Sequence, residues 1–165
     1  MNTQRFSALG ALLITSLISC SESPPKFHAD TNPSRLSDWG LFDLSDESLT
    51  PTQFNMVYRP ANQLFSDYAQ KLRTIWIPEG AQARLIGEEL SYPVGTVVSK
   101  TFYYPRDDAG NLQRLEEVVA ESIDLSTNQL IETRLLVKRS AGWEAFPYVW
   151  NDEESEAFLR VAGTN

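Results

Sequence analysis

Six charged residues lie in or beside stretches whose residue pattern predicts β-strands, and together they could bind an anion. The set comprises two carboxylates and four cations: Asp67, Lys71, Arg73, Lys100, Glu132 and Arg134. Arginine offers a planar pair of N–H donors to a carboxylate or phosphate, and lysine adds a point charge. The simpler interpretation is that these side chains pair across strands on a solvated face, where each pair contributes about 0.2–1 kcal/mol. The spacing leaves both interpretations open.

Aromatic side chains are a second group of candidates for ligand or partner contact. The chain has 4 tryptophans, 6 tyrosines and 8 phenylalanines, which is many for 165 residues. Alternation along a strand predicts that about half of them point into the core. Residues 143–150 offer the best case for outward aromatics, because exposed rings can dock a partner or stack on a sugar. The predicted contacts there are Trp143, Tyr148 and Trp150.

Catalytic chemistry has few candidate residues. The only histidine, His28, precedes the predicted domain, so the domain itself lacks the base of a Ser-His-Asp triad. Adjacent carboxylates, such as Glu116 and Glu117, could serve a hydrolase if two carboxyl groups converged at about 5–10 Å. A solvated turn is the simpler explanation for each pair. No C-x-x-C-H motif occurs, so we expect no covalently bound haem, and we predict no cofactor or metal ligand set.

The first 20 residues predict export and lipidation. Arg5 precedes an apolar run at residues 8–18, which is too short to span a bilayer and is typical of a signal peptide. Leu-Ile-Ser-Cys at residues 17–20 resembles the lipobox of bacterial lipoproteins. The resemblance implies cleavage after residue 19 and acylation, with palmitate among the chains, on Cys20, the only cysteine. The alternative is a secretory signal that ends in a chance cysteine.

The acidic composition excludes some partners. The formal net charge is −8 and the sequence pI is about 4.6, with no basic cluster. Nucleic acids and anionic lipid surfaces are bound mainly through lysine and arginine, so we predict no nucleic-acid partner and no polybasic membrane contact. Membrane attachment would then depend on the acyl chains. By analogy with other bacterial lipoproteins, Ser21 after the cysteine favours the outer membrane, with the domain in the periplasm.

The rest of the chain predicts a flexible tether and one β-rich domain. Residues 20–35 contain three prolines and few large apolar side chains, which is typical of an extended linker. Residues 36–165 contain about seven short strand patterns separated by turn residues, which predicts a β-sandwich or partly closed barrel. Residues 112–123 fit either a helical stripe or strand spacing, and we expect a strand or hairpin arm.

An ordered set of short motifs resembles a family of largely uncharacterised bacterial envelope proteins. The motifs are LFSDYA at 64–69 with Lys71 and Arg73, PVGT at 93–96 with KTF at 100–102, ETRLL at 132–136, Gly142-Trp143 and YVWN at 148–151. They resemble the haem-free N-terminal module of these proteins, in which a segment with c-type haem attachment sites often follows. The resemblance covers about residues 36–157 and implies association with electron-transfer proteins, without transferable catalytic residues.

These observations together predict a lipid-anchored binding or assembly module of the cell envelope. The expected partner is an envelope protein such as a c-type cytochrome. One alternative is a carboxylate-dependent hydrolase or glycan-binding protein of the envelope. Another is a truncated relative of a haem-bearing protein that has no independent activity. The hydrolase requires two carboxylates that converge in a cleft, and the glycan-binding protein requires exposed aromatic side chains.

The lipidation hypothesis makes a direct prediction. Replacing Cys20→Ala should abolish acylation and membrane retention, because no other thiol is present to carry the lipid. Metabolic labelling with palmitate followed by membrane fractionation measures both effects. A Cys20→Ala protein that still carries label would contradict the hypothesis.

Overall fold

The structure is a computed structural model that describes residues 24–62 and 66–160. It is mainly β, which confirms the predicted fold class, and its sheets do not close into a barrel. Within the described residues no helix has the length and apolarity needed to cross a membrane. A 3-10 helix (Leu36–Trp39) precedes the strands β1 (Phe42–Ser45), β2 (Ser48–Pro51), β3 (Met56–Val57), β4 (Gln70–Trp76), β5 (Arg84–Ile86), β6 (Glu89–Ser91), β7 (Val97–Pro105), β8 (Ile123–Asp124), β9 (Asn128–Arg139), β10 (Gly142–Trp150) and β11 (Ala157–Leu159).

An antiparallel sheet of six strands forms the larger layer. Its order is β11-β10-β9-β7-β4-β3, so that β4, β7 and β9 lie in its middle. Strand β7 shows why these residues form a sheet: β-branched and aromatic side chains dominate it, and its burial alternates from residue to residue. One face of the sheet therefore packs into the core, and the other carries the charged side chains of these strands except Arg139, at the end of β9, which is buried on the core side.

A smaller layer covers the apolar face of this sheet. It consists of the three-stranded sheet β1-β2-β8 and the 3-10 helix. Leu49 of β2 and Ile123 of β8 share one buried cluster with Leu72, Leu135 and Val137 of the larger sheet. Side chains of two facing sheets thus form a single core, as in a β-sandwich. The third sheet, the hairpin β5-β6, pairs with neither layer.

The structure has more strands than the roughly seven that the sequence predicts. Residues 42–51, which are rich in acidic and turn residues, form the hairpin β1-β2. Its turn residues Asp46 and Glu47 adopt positive φ angles, and Leu49 supplies the buried contact. With only one fully buried side chain, the hairpin shows almost no alternation of polar and apolar residues. The sequence pattern alone therefore does not predict it.

Residues 113–122 do not form the strand or hairpin arm that we expected. The segment is irregular, and regular pairing resumes only at β8. Its backbone is bound instead by the side chain of Gln70, whose amide nitrogen donates to the carbonyls of Leu115 (3.0 Å) and Glu116 (3.1 Å). The Gln70 oxygen accepts from the amide of Val118 at 2.8 Å. A buried side chain therefore replaces the hydrogen bonds that a neighbouring strand would supply.

Residues 24–35, expected to belong to a flexible tether, pack onto the domain. The amide of Lys26 donates to the carbonyl of Trp39 at 2.9 Å, and the Arg139 guanidinium donates to Thr31 O at 3.1 Å. The hydroxyl of Tyr148 donates to Pro33 O at 2.9 Å. Arg139 and Tyr148 belong to strands that are distant in the sequence. The composition of residues 24–35 alone therefore suggested a linker.

Gly95 allows a close approach that a side chain would prevent. Its φ is +96°, and a Cβ at this position would lie 2.7 Å from Cγ of Pro78 and 3.6 Å from the ring of Phe27. Gly95→Ala should therefore lower the free energy of unfolding by about 2 kcal/mol, through backbone strain and the contact with Pro78. Denaturant unfolding measures this loss.

The matched control for this change is Gly80→Ala. Gly80 also has a positive φ, +76°, but no atom lies within 4 Å of the position of its Cβ. It should cost only the backbone strain, about 1 kcal/mol. Equal losses for the two variants would contradict the packing of residues 27, 78 and 95 described here.

Candidate functional site

Three cations form a row across the middle of the six-stranded sheet. Arg73 of β4 is the direct cross-strand partner of Lys100 of β7, which is in turn the partner of Arg134 of β9. Direct partners project from the same face, and neighbouring strands lie about 4.8 Å apart. We call Arg73, Lys100 and Arg134 the cationic row. It lies on the face of the sheet opposite the core.

A second set of partners lies two residues along on the same face. Lys71 pairs with Phe102 in the register, and Phe102 pairs with Glu132. The ring of Phe102 has the Lys100 ammonium and the Arg134 guanidinium each 5.0 Å from its centroid, within the range of cation–π attraction. The carboxylate of Glu132 accepts a hydrogen bond from Arg134. This aromatic ring thus supports two cations of the row.

Glu117 covers one end of the row. One of its carboxylate oxygens accepts from Arg73 at 2.7 Å, and the other accepts from Lys71. Lys71 and Arg73 are only 6% and 9% exposed, because residues 113–122 lie over this part of the sheet. We did not predict this role for Glu117, which we interpreted as part of a solvated turn. Only its position beside a second acid, Glu116, had drawn attention to it.

The two cations keep Glu117 ionised. Burial raises the pKa of this carboxyl group, but the hydrogen bonds and charges of Arg73 and Lys71 outweigh burial and hold the pKa below its ordinary value. A carboxylate with a lowered pKa is a poor general acid at neutral pH. Its chemical role here is to compensate two buried positive charges.

Lys100 is different because it faces cations on both sides. In the part of the chain that the structure describes, it has no carboxylate within ion-pairing distance. Partial burial lowers the pKa of Lys100, and repulsion from neighbouring cations, chiefly Arg73 and Arg134, lowers it further. An anion placed over Lys100 would relieve this repulsion. The arrangement is therefore suited to bind a carboxylate or phosphate group.

A cavity of about 210 Å³ adjoins the buried end of the row. Lys71, Arg73 and Glu117 line its polar side. Val57 and Val118, both exposed, contribute an apolar rim. Arg59 and Glu121 also line the cavity, so it carries charges of both signs beside an apolar rim.

Not every predicted contact residue belongs to this face. Asp67 is exposed and its nearest ion-pair partner is Arg114, at 3.7 Å, so it does not join the cationic row. Trp143 is 38% exposed and lies beside Lys138, its cross-strand partner, on the same face as the row. Trp143 is therefore partly accessible, and its contact with a partner stays a prediction.

The prediction that Tyr148 and Trp150 contact a partner is wrong. They are 0% and 8% exposed. The Tyr148 hydroxyl accepts from the Trp39 indole at 2.8 Å, and the Trp150 indole donates to Thr133 at 3.1 Å. Both rings project into the core because alternate residues of β10 face it. Trp143 is five and seven residues away from them, so it projects from the opposite face.

The remaining findings concern Cys20, possible metal ligands and the comparisons with known proteins. Cys20 lies outside the described residues, so the structure does not address its acylation. Within residues 24–62 and 66–160 no cluster of three or more histidine, cysteine or acidic side chains could hold a metal ion. No family model, curated protein or solved structure matches this chain.

Removing the carboxylate of Glu117 should destabilise the fold. Glu117→Gln would leave Lys71 and Arg73 buried without a counter-charge, at a cost of about 2–4 kcal/mol in the free energy of unfolding. Chemical denaturation at neutral pH measures the cost. Glu116→Gln is the matched control, because Glu116 is exposed and has no ion pair in the described structure. Similar losses for both variants would contradict the assigned pairing.

The same ion pair should contribute to acid sensitivity. Because the folded-state pKa of Glu117 is lowered, its stabilisation is complete above the unfolded-state pKa of about 4.3 and is lost as the pH falls through the folded-state value. The wild-type protein should therefore lose more stability than Glu117→Gln between neutral pH and pH about 3. Parallel pH profiles of unfolding would show that Glu117 titrates alike in both states.

Proposed function

We propose that this chain is a lipid-anchored binding module of the bacterial envelope that docks an acidic partner on its cationic row. The observation that carries the proposal is Lys100, held between Arg73 and Arg134 without a carboxylate of its own. Like charges directly opposite one another destabilise a sheet. The chain has 22 acidic and 14 basic residues, yet within residues 24–62 and 66–160 no carboxylate lies within ion-pairing distance of this lysine. The repulsion is what an acidic partner would relieve.

The geometry favours a docking surface over an enzyme. The row lies on an open sheet face beside Phe102, and aromatic residues and arginine are enriched in protein interfaces. The buried carboxylate nearest the row, Glu117, is ionised and paired with two cations. A carboxylate-dependent hydrolase needs one carboxyl group with a raised pKa. This is why we place binding ahead of hydrolysis.

The N-terminal sequence and the motif resemblance are the support for the proposed location and partner. Acylation of Cys20 would hold the module on the outer membrane facing the periplasm, where protein partners are available. The resemblance to modules that precede c-type haem segments makes a c-type cytochrome with an acidic surface the first partner to test. No separate cofactor is required for docking.

Replacing Lys100→Gln separates function from stability. The variant should lose partner binding by about tenfold, because one charge-assisted contact contributes on the order of 1–2 kcal/mol. It should also unfold at a slightly higher denaturant concentration, since removing a cation between two others relieves repulsion of up to about 1 kcal/mol. The stability of the isolated protein and capture of envelope proteins from native membranes measure the two effects.

The control is Arg160→Gln, which removes an equal charge from an exposed residue outside the row. Captured proteins are identified by mass spectrometry and by haem absorbance. A partner lost with Lys100→Gln, retained with Arg160→Gln and released by salt supports the proposal. Equal capture by a Lys100→Gln, Arg134→Gln double variant would contradict it, whatever the partner is.

A further inference from the structure

Residues 24–35 fix the point at which the chain enters the domain. Pro25 is buried, and its Cα and the carbonyl oxygen of Pro24 lie 3.4 and 3.7 Å from the position that a Cβ on Gly40 would occupy. Phe27 packs against the core and contacts Gly95. The entry point is therefore attached to the body of the domain.

This attachment limits the distance between the domain and the lipid. Cys20 precedes Pro24 by four residues. Four fully extended residues span at most about 14 Å. Acyl chains on Cys20 would hold Pro24 within that distance of the bilayer interface. The surface around Phe27 must then lie close to lipid headgroups.

The hairpin β5-β6 projects from this same region. The chain leaves β4 at Trp76 and returns to β7 at Val97, and Pro78 and Gly95 meet beside Phe27 at the base of the excursion. The hairpin exposes three aliphatic side chains: Leu85 is 69% exposed, Ile86 65% and Leu90 59%. Leu85 and Leu90 are direct cross-strand partners on one face of the hairpin, and Ile86 projects from the other face. Soluble proteins rarely leave so much aliphatic surface uncovered in one place unless it contacts something.

Neighbouring side chains have the composition of a membrane interface. Tyr92 and Trp143 form an edge-to-face pair with ring centroids 5.8 Å apart, and Lys138 lies 5.6 Å from the Trp143 ring. Together with Ile86 and Leu90 they line one cleft at the end of the sheet. Tyrosine and tryptophan are enriched where an apolar region meets water, and lysine extends towards headgroups.

We propose that the β5-β6 hairpin is a second membrane contact, which inserts Leu85, Ile86 and Leu90 at the boundary between headgroups and acyl chains. The inference depends on the lipid anchor of the proposed function but not on the cationic row. Glu88 at the turn and Glu89, the cross-strand partner of Ile86, limit insertion to this boundary, since carboxylates are costly to place in hydrocarbon. The contact would be driven by aliphatic burial and would take a zwitterionic surface.

Docking of the hairpin would orient the module. The hairpin and the turn between β9 and β10 lie at one end of the strands, whereas the cationic row lies on the sheet face several residues further along. With this end at the membrane, the face that carries Lys100 stays open to the periplasm. The membrane contact and the proposed partner contact are then compatible.

The test supplies the anchor chemically. The chain from Cys20 onwards is coupled through its only thiol to a maleimide lipid in phosphatidylethanolamine–phosphatidylcholine vesicles, or to soluble maleimide–polyethylene glycol as the reference. Amide hydrogen exchange is then compared by mass spectrometry. We expect exchange in residues 84–91 to slow by about tenfold on vesicles, with no change in residues 107–111. The protection should persist in about 0.5 M NaCl, which screens charge contacts.

A Leu85→Ser, Leu90→Ser variant should lose this protection on vesicles. Leu112→Ser is the control, because Leu112 is also exposed, at 45%, but lies outside the hairpin. Equal exchange in the lipid-coupled and polymer-coupled proteins would overturn the proposal. Protection that appears with the polymer at higher protein concentration would also overturn it, by showing that a second copy covers the hairpin. Since the coupling replaces native acylation, a negative result here is distinct from failed palmitate labelling.

Discussion

The fold depends on two hydrogen bonds made by the buried hydroxyl of Tyr148. This oxygen accepts a hydrogen bond from the Trp39 indole at 2.8 Å and donates one to Pro33 O at 2.9 Å. One atom thereby connects β10, the 3-10 helix and the N-terminal segment. An unsatisfied group at this depth would cost about 1–3 kcal/mol, so the three elements are held together as a unit.

These hydrogen bonds affect how far the domain would lie from a lipid on Cys20. Residues 24–35 are bound to the body, and only residues 21–23 separate them from Cys20. If Cys20 is acylated as proposed, the domain would therefore lie close to the membrane surface. In the proposed orientation, the end of the sheet that carries the β5-β6 hairpin faces the lipid, and the open face of β7 and β9 faces outwards.

The cationic row combines two kinds of charge environment within one register. At the β4 end, the carboxylate of Glu117 compensates the charges of Arg73 and of the neighbouring Lys71, and these three groups are largely shielded from water. At the β9 end, Arg134 is exposed and pairs with Glu132. Lys100 lies between them and has no ion-pair partner among the residues that the structure describes. A site that gives up some stability in this way is typical of functional surfaces, where a ligand supplies the missing interaction.

Much of the architecture could be predicted from local pattern. The stretches that became β4, β7, β9 and β10 alternate clearly or are dense in β-branched and aromatic residues, and turn residues mark their ends. Weak strands such as β1 and β8 could not be predicted, because only contacts with the other layer stabilise them. The charged residues of the site were identified by their positions on these strands, but Glu117 was not, because its segment has no regular structure.

The sequence by itself determined the β-rich class, the acidic net charge, the candidate cations and the lipobox-like motif with its single cysteine. The tertiary structure decided which of these residues meet. Register aligned Lys100 with Arg73 and Arg134, and packing turned Tyr148 and Trp150 inwards while it bound residues 24–35 to the domain. The physical reason is that strand propensity and composition are local, whereas register, the burial of a face and the pairing of buried charges depend on residues distant in sequence.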